Sequence, residues 1–126
     1  MPAFLILLRT DTHLFECEPA GAKVRKDAFH FVAIVSAMTI DEVYSRCQNG
    51  NPDLDNETKT WAKDARVDLS FEGDRLRCPK MNDSLRSVSV GDVVIDHDDK
   101  LWMVDSCGWM RLEEDEDGIH YVVCEE

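Results

Sequence analysis

Residues Arg86 to Leu112 read RSVSVGDVVIDHDDKLWMVDSCGWMRL, short apolar and β-branched runs separated by turn-forming residues. Gly91-Asp92, Asp98-Asp99 and Ser106-Cys107-Gly108 break the runs, because Gly, Asp and Ser enter turn conformations that β-branched residues resist. Val93-Val94-Ile95 and Leu101 to Val104 are too short for helices and too apolar for loops. The segment therefore predicts a β-meander: Ser87 to Val90 leads in, Asp98-Asp99 turns the chain, and Leu101 to Val104 returns. The strand breaks at Ser106-Cys107-Gly108 and resumes over Trp109 to Leu112. Glu113-Glu114-Asp115-Glu116-Asp117-Gly118 forms the next turn, and Ile119 to Val123 the last strand. Trp102, Met103, Trp109 and Met110 suit the core and sheet faces of such a meander.

The N-terminal two-thirds mixes strand and helix signals. Phe4 to Arg9 is a short apolar run bounded by Pro2 and Thr10-Asp11-Thr12, which predicts a buried strand. His13 to Cys17 reads as its hairpin partner, with the turn near Asp11. Phe29 to Ala37 (FHFVAIVSA) is rich in β-branched and aromatic residues and predicts a second strong strand. Thr39-Ile40-Asp41-Glu42 fits a capping box, in which the Thr39 hydroxyl accepts from the Glu42 amide and the Glu42 carboxylate accepts from that of Thr39. Ile40, Val43, Tyr44 and Cys47 then share one helical face, and Asn49-Gly50 supplies the stop. Asn56 to Lys63 allows a second short helix with Trp61 inward. Arg66 to Phe71 alternates like a half-buried strand, Gly73-Asp74 reads as a turn, and Arg75 to Cys78 as the return.

At 126 residues the chain has the length of one domain, able to bury roughly two-thirds of its unfolded surface. The expected fold is α+β: a single domain over 1–126 with a mostly antiparallel, strongly curved sheet, one or two short helices and the C-terminal meander. Strands followed by a helix and then more strands favour this over a doubly wound sheet. Phe4, Ile6, Leu8, Phe31, Ile34, Val43, Leu69, Val94, Trp102, Val104 and Val122 are the expected core.

Charge narrows the functional classes. The chain carries 14 basic and 26 acidic side chains, a net charge of −12. From Asp96 to Glu126 there are eleven acids and two bases, so three-quarters of the net charge sits in the last quarter of the chain. Such a field repels nucleic-acid phosphates and anionic lipid and attracts basic surfaces. Charge runs most often only solubilise. The sharper expectation is a docking face for a basic protein surface, built from Asp96, Asp98, Asp99, Glu113, Glu114, Asp115, Glu116 and Asp117, conceivable also as a DNA mimic. The alternative is a nucleic-acid-associated module using Arg75, Arg77, Lys80 and Arg86, joined by Lys23, Arg25 and Lys26 if the fold gathers them. No nucleic-acid-binding signature supports it.

Catalytic, cofactor and metal sites are not expected. Four histidines and five cysteines occur without a C-x₂-C or H-x₃-H pair. The turn around His97 lacks the glycine and distal glutamate of a calcium loop. Cys107 is the best-placed thiol, but its sequence neighbours are acidic, which disfavours a thiolate. An odd number of cysteines suits reduced thiols in a cytoplasm. The apolar run Phe4 to Leu8 is too short to span a membrane and lacks the flanks of a signal peptide.

Ser89-Val90-Gly91-Asp92-Val93-Val94 leading to Val104-Asp105-Ser106-Cys107-Gly108-Trp109 resembles the YodL-like domain over residues 87–112. The resemblance implies a phage, plasmid or prophage setting and assigns no catalytic residue.

Overall fold

The computed structural model describes residues 1–11, 13–81 and 83–124. Glu125 and Glu126, counted above among the C-terminal acids, lie outside them. The strands are β1 (Ala3–Arg9), β2 (Lys23–Arg25), β3 (Phe29–Ser36), β4 (Val67–Leu69), β5 (Val93–Ile95), β6 (Leu101–Asp105), β7 (Gly108–Glu114) and β8 (His120–Val123). The helices are α1 (Ile40–Arg46) and α2 (Phe71–Arg75). All eight strands form one sheet in the order β2-β8-β7-β6-β5-β1-β3-β4, and every pair is antiparallel. The expected α+β fold is the observed one.

The curvature shows in contacts that sheet order alone would forbid. β3 and β8 stand five places apart in the sheet. Phe29 and Tyr121, one on each, nevertheless bring their ring centroids to 5.8 Å. One face thus rolls around its own core of Leu7, Val24, Phe29, Val93, Met103, Leu112, Tyr121 and Val123. The opposite face holds the second core, where Ile6, Val32, Val35 and Val94 pack with Val43 of α1 and with Leu54, Trp61, Leu85 and Val88. Trp61 enters from a single 3₁₀ turn, Trp61–Lys63, in place of the longer helix predicted over 56–63. Its indole Nε1 donates to the carbonyl of Arg86 at 2.8 Å.

α1 forms as predicted. Thr39 Oγ1 accepts from the Glu42 amide at 3.1 Å, but Glu42 reaches one residue further back, to the amide of Met38, at 3.0 Å. β1 departs from expectation. Its neighbours are β3 and β5, and residues 13–17 form no strand. A strand buried on both faces needs long apolar partners; β3 supplies seven paired positions, more than Leu14-Phe15 could. Residues 73–78 also depart: Gly73-Asp74 lies inside α2, and Cys78 bridges Ser84. In the meander, Ser106-Cys107 is a two-residue hairpin connection between Asp105 and Gly108, so the chain reverses where an interrupted strand was predicted.

The core expectation failed where register slipped. β1 and β3 change register between Ile6, opposite Ala33, and Leu7, opposite Phe31. Val32 is left over as a bulge. A bulge breaks the two-residue alternation, so Val32 and Ala33 are both fully buried while Phe31 and Ile34 emerge at 38% and 37% exposure. On β8 the inward residues are Tyr121 and Val123, with Val122 only partly buried. Leu69 and Trp102 are also partly buried.

Candidate functional site

The meander geometry places the acids. β5, β6, β7 and β8 are consecutive antiparallel neighbours. The β5–β6 turn, 96–100, and the β7–β8 turn, 115–119, therefore lie at one end of the sheet. The Asp105–Gly108 hairpin lies at the other. Two strand spacings, about 10 Å, separate the two acidic turns, so they can meet one partner surface together.

Internal bonds divide the eight acids into two groups. Asp96 closes its own turn: Oδ1 accepts from the amides of Asp98 at 2.9 Å and Lys100 at 3.0 Å, and Oδ2 from Trp102 Nε1 at 2.9 Å. Partial desolvation works to raise its pKa, but the bonds from Trp102 and the two amides outweigh it and hold the carboxyl below its ordinary value. Asp115 pairs with Lys23 at 2.7 Å and Glu114 with Lys26 at 3.2 Å. The hydrogen bond from Lys23 is the main cause of the lowered Asp115 pKa. Asp117 accepts from the amide of Ile119 at 2.7 Å and from His120 Nδ1 at 2.7 Å. Those bonds, the Ile119 amide first, hold it at about 2.

Asp98, Asp99, Glu113 and Glu116 make up the second group. All four are exposed. Asp98 makes only a 3.7 Å approach to His97, and none of the other three carboxylates bonds to a described residue. Four of the eight carboxylates are thus exposed and free of close bonds among the described residues, while Glu114 and Asp117 are exposed but bonded. Lys23 and Lys26 neutralise part of the rest, and they arrive because β2 pairs with β8. That pairing joins residues about a hundred positions apart, and no local pattern announces it.

Asp117 gives a pH test. Its pKa is lower folded than the ordinary carboxylate value near 3.9. Its contribution to the turn is therefore complete above about pH 4 and is lost as pH falls through 2. A carboxyl ¹³C titration should give an Asp117 midpoint near 2; a midpoint near 4 would contradict the turn geometry. Ligand atoms of Asp115, Asp117 and His120 lie within 4.8 Å of one another, close enough for a divalent cation. The Lys23 and His120 bonds already engage both carboxylates, so the cluster explains itself without metal.

The basic stretch is dispersed. Arg86 turns inward and grips Asp92 with Nη1 and Nη2, both at 2.6 Å. Arg77 pairs with Asp74 at 2.8 Å, and Arg75 approaches Glu72 at 3.6 Å. Lys80 stands exposed nearby. Lys23, Arg25 and Lys26 belong to β2 and the 3₁₀ turn after it, at the other edge of the sheet from β4 and α2.

A concavity of about 640 Å³ is lined by Arg9, Asp11, His13, Glu18, Lys23, Arg25 and Asp27 among others. Arg9 is 2% exposed, pairs with Asp11 at 2.8 Å and Glu18 at 2.9 Å, and lies over the Phe29 ring. Acidic and basic lining residues balance, which favours neither an anion nor a cation. Cys107 is exposed at its hairpin turn, and its sulfur's one hydrogen-bond neighbour is Ser106 Oγ, at 3.8 Å. All five cysteines are unpaired, and no helix among the described residues is long and apolar enough to cross a membrane. No family model, no curated protein and no solved structure matches the chain.

Proposed function

We propose that this protein is a small non-enzymatic binding module that docks through the acidic end of its β5–β8 meander onto a basic protein surface. One observation carries the reading: the two acidic turns share an end of the sheet, where Asp98, Asp99 and Glu116 on the turns and Glu113 at the adjoining end of β7 are exposed. Asp96, Asp115 and Asp117 bond within or beside those turns, and Glu114 pairs with Lys26. The resemblance of residues 87–112 to the YodL-like domain favours a mobile-element accessory role, anti-defence or DNA mimicry included. Five unpaired thiols favour a cytoplasmic setting.

The test is a comparative pull-down from host lysate with mass-spectrometric identification. Wild type is compared with the variant Asp98→Asn, Asp99→Asn, Glu113→Gln, Glu116→Gln, whose four sites are solvent-facing and leave the turn-closing bonds in place. Wild type should retain basic proteins, the variant should recover them at least about tenfold less well, and raising salt should weaken retention as screening shortens the field. Equal recovery by both proteins would overturn the reading. Retention of DNA on a filter at about 50 mM salt, where phosphate contacts are strongest, would favour the nucleic-acid alternative.

A further inference from the structure

Between α1 and the β6–β7 hairpin lies a cleft of about 270 Å³, lined by Asp41, Tyr44, Val104, Asp105, Ser106, Gly108 and Trp109. It sits at the end of the meander opposite the acidic turns, so it is separate from the docking face proposed above. Tyr44 and Trp109 form two of its walls, with ring planes at 90° and centroids 6.4 Å apart. Trp109 Nε1 donates to Asp41 Oδ1 at 3.0 Å, which fixes both the indole plane and the carboxylate. Asp41 Oδ2 remains free to accept. Asp105 belongs to the lining at the hairpin end, but strand alternation gives its side chain the face of Met103 and Met110, opposite that of Val104 and Trp109. Among the described residues, no basic side chain lines the cleft.

We propose that this cleft binds an arginine side chain of a partner protein. The chemistry selects a cation twice over. Aromatic faces carry negative quadrupoles that attract a cation placed over them. The Asp41 carboxylate adds charge and an acceptor beside the rings. A guanidinium suits the combination better than an ammonium, because it is planar, stacks on a ring and presents several donors in one plane. A neutral side chain would gain nothing from the Asp41 charge, and an acidic one would be repelled by it. The floor at Val104, 5% exposed, accommodates the aliphatic stem. The reading of Trp109 as a plain sheet-face residue missed this because Tyr44 and Asp41 come from α1, more than sixty residues earlier.

N-acetyl-arginine amide is the probe, followed by ¹H–¹⁵N correlation spectra of the whole protein. The Trp109 indole resonance, assigned by its loss in Trp109→Phe, should shift saturably, with a dissociation constant on the order of a millimolar for a ligand of this size. N-acetyl-citrulline amide, the neutral isostere, should bind at least about tenfold more weakly. Asp41→Asn should weaken the arginine probe by about tenfold or more while leaving the backbone spectrum folded. The acidic-turn variant Asp98→Asn, Asp99→Asn, Glu113→Gln, Glu116→Gln should leave this affinity unchanged, which separates the cleft from the docking face. Equal binding of citrulline, insensitivity to Asp41→Asn, or no shift at Trp109 would each overturn the proposal.

Discussion

Asp92→Asn should lower the stability of this fold by about 3–5 kcal/mol, the usual cost of removing one member of a buried ion pair. Asp92 is 0% exposed and every acceptor position on its carboxylate is in use. Oδ1 accepts from the amide of Arg9 at 2.8 Å and from Arg86 Nη2 at 2.6 Å. Oδ2 accepts from the amide of Ser89 at 2.8 Å and from Arg86 Nη1 at 2.6 Å. The second guanidinium nitrogen also donates to the carbonyl of Arg9 at 2.9 Å. One carboxylate thereby ties the end of β1 to the entry of β5 across more than eighty residues. An asparagine in either flip turns an NH₂ toward an amide donor and toward Arg86, and it removes the charge that pairs with the guanidinium. With a urea m-value of about 1–3 kcal/mol/M for a domain of this class, the midpoint should drop by roughly 2 M. An unchanged midpoint would remove Asp92 from the centre of the fold.

That network shows where reading from sequence stops. Gly91-Asp92 is recognisable as a turn, because the turn preferences of Gly and Asp are local. The same holds for Thr39 capping α1 and for the Asp98-Asp99 turn, whereas α1 already ends at Arg46, short of the predicted Asn49-Gly50 stop. The sharing of one sheet end by the two acidic turns depends on the reversal at Ser106-Cys107, which reads from sequence as a strand break; without that reversal, strand parity would put the turns at opposite ends. Arg86 looked like one more surface cation in a basic stretch, and only the approach of β1 turns it inward. Lys23 and Lys26 likewise reveal their role against the acids only through β2 pairing with β8. Alternation reads which face a residue takes only while register holds. The bulge at Val32 reversed it for Phe31 and Ile34 without a glycine or proline to mark the place. The Tyr44–Trp109 cleft needs α1 and the hairpin brought together, which no spacing encodes.

Gly73→Ala is expected to destabilise the protein by about 3 kcal/mol, at the upper end of overpacking costs, although intrinsic propensity alone would make it stabilising. Within a helix, Ala is favoured over Gly by roughly 1 kcal/mol, and Gly73 lies inside α2. The opposing term is steric. A Cβ on Gly73 would lie 1.9 Å from the carbonyl oxygen of Val32, 2.7 Å from its carbon and 2.9 Å from its Cα. These are backbone atoms, so no rotamer change relieves the contact. Nor can the carbonyl turn away freely, since it accepts from the amide of Ser70 at 2.9 Å. Ser70 in turn caps α2, accepting from the amide of Gly73 at 2.9 Å and donating to the carbonyl of Phe31 at 2.6 Å. To admit one methyl group, α2 must lift from β3, and the cap and the link to the bulge open with it. The bulge that moved Phe31 and Ile34 outward is therefore the feature that requires a glycine here. Urea denaturation measures the stability loss, and hydrogen exchange at the Ser70 and Gly73 amides locates it: both should lose protection in the variant while β6 and β7 keep theirs. A variant as stable as wild type, with Ser70 still protected, would show that α2 does not sit on the Val32 carbonyl as closely as its glycine implies.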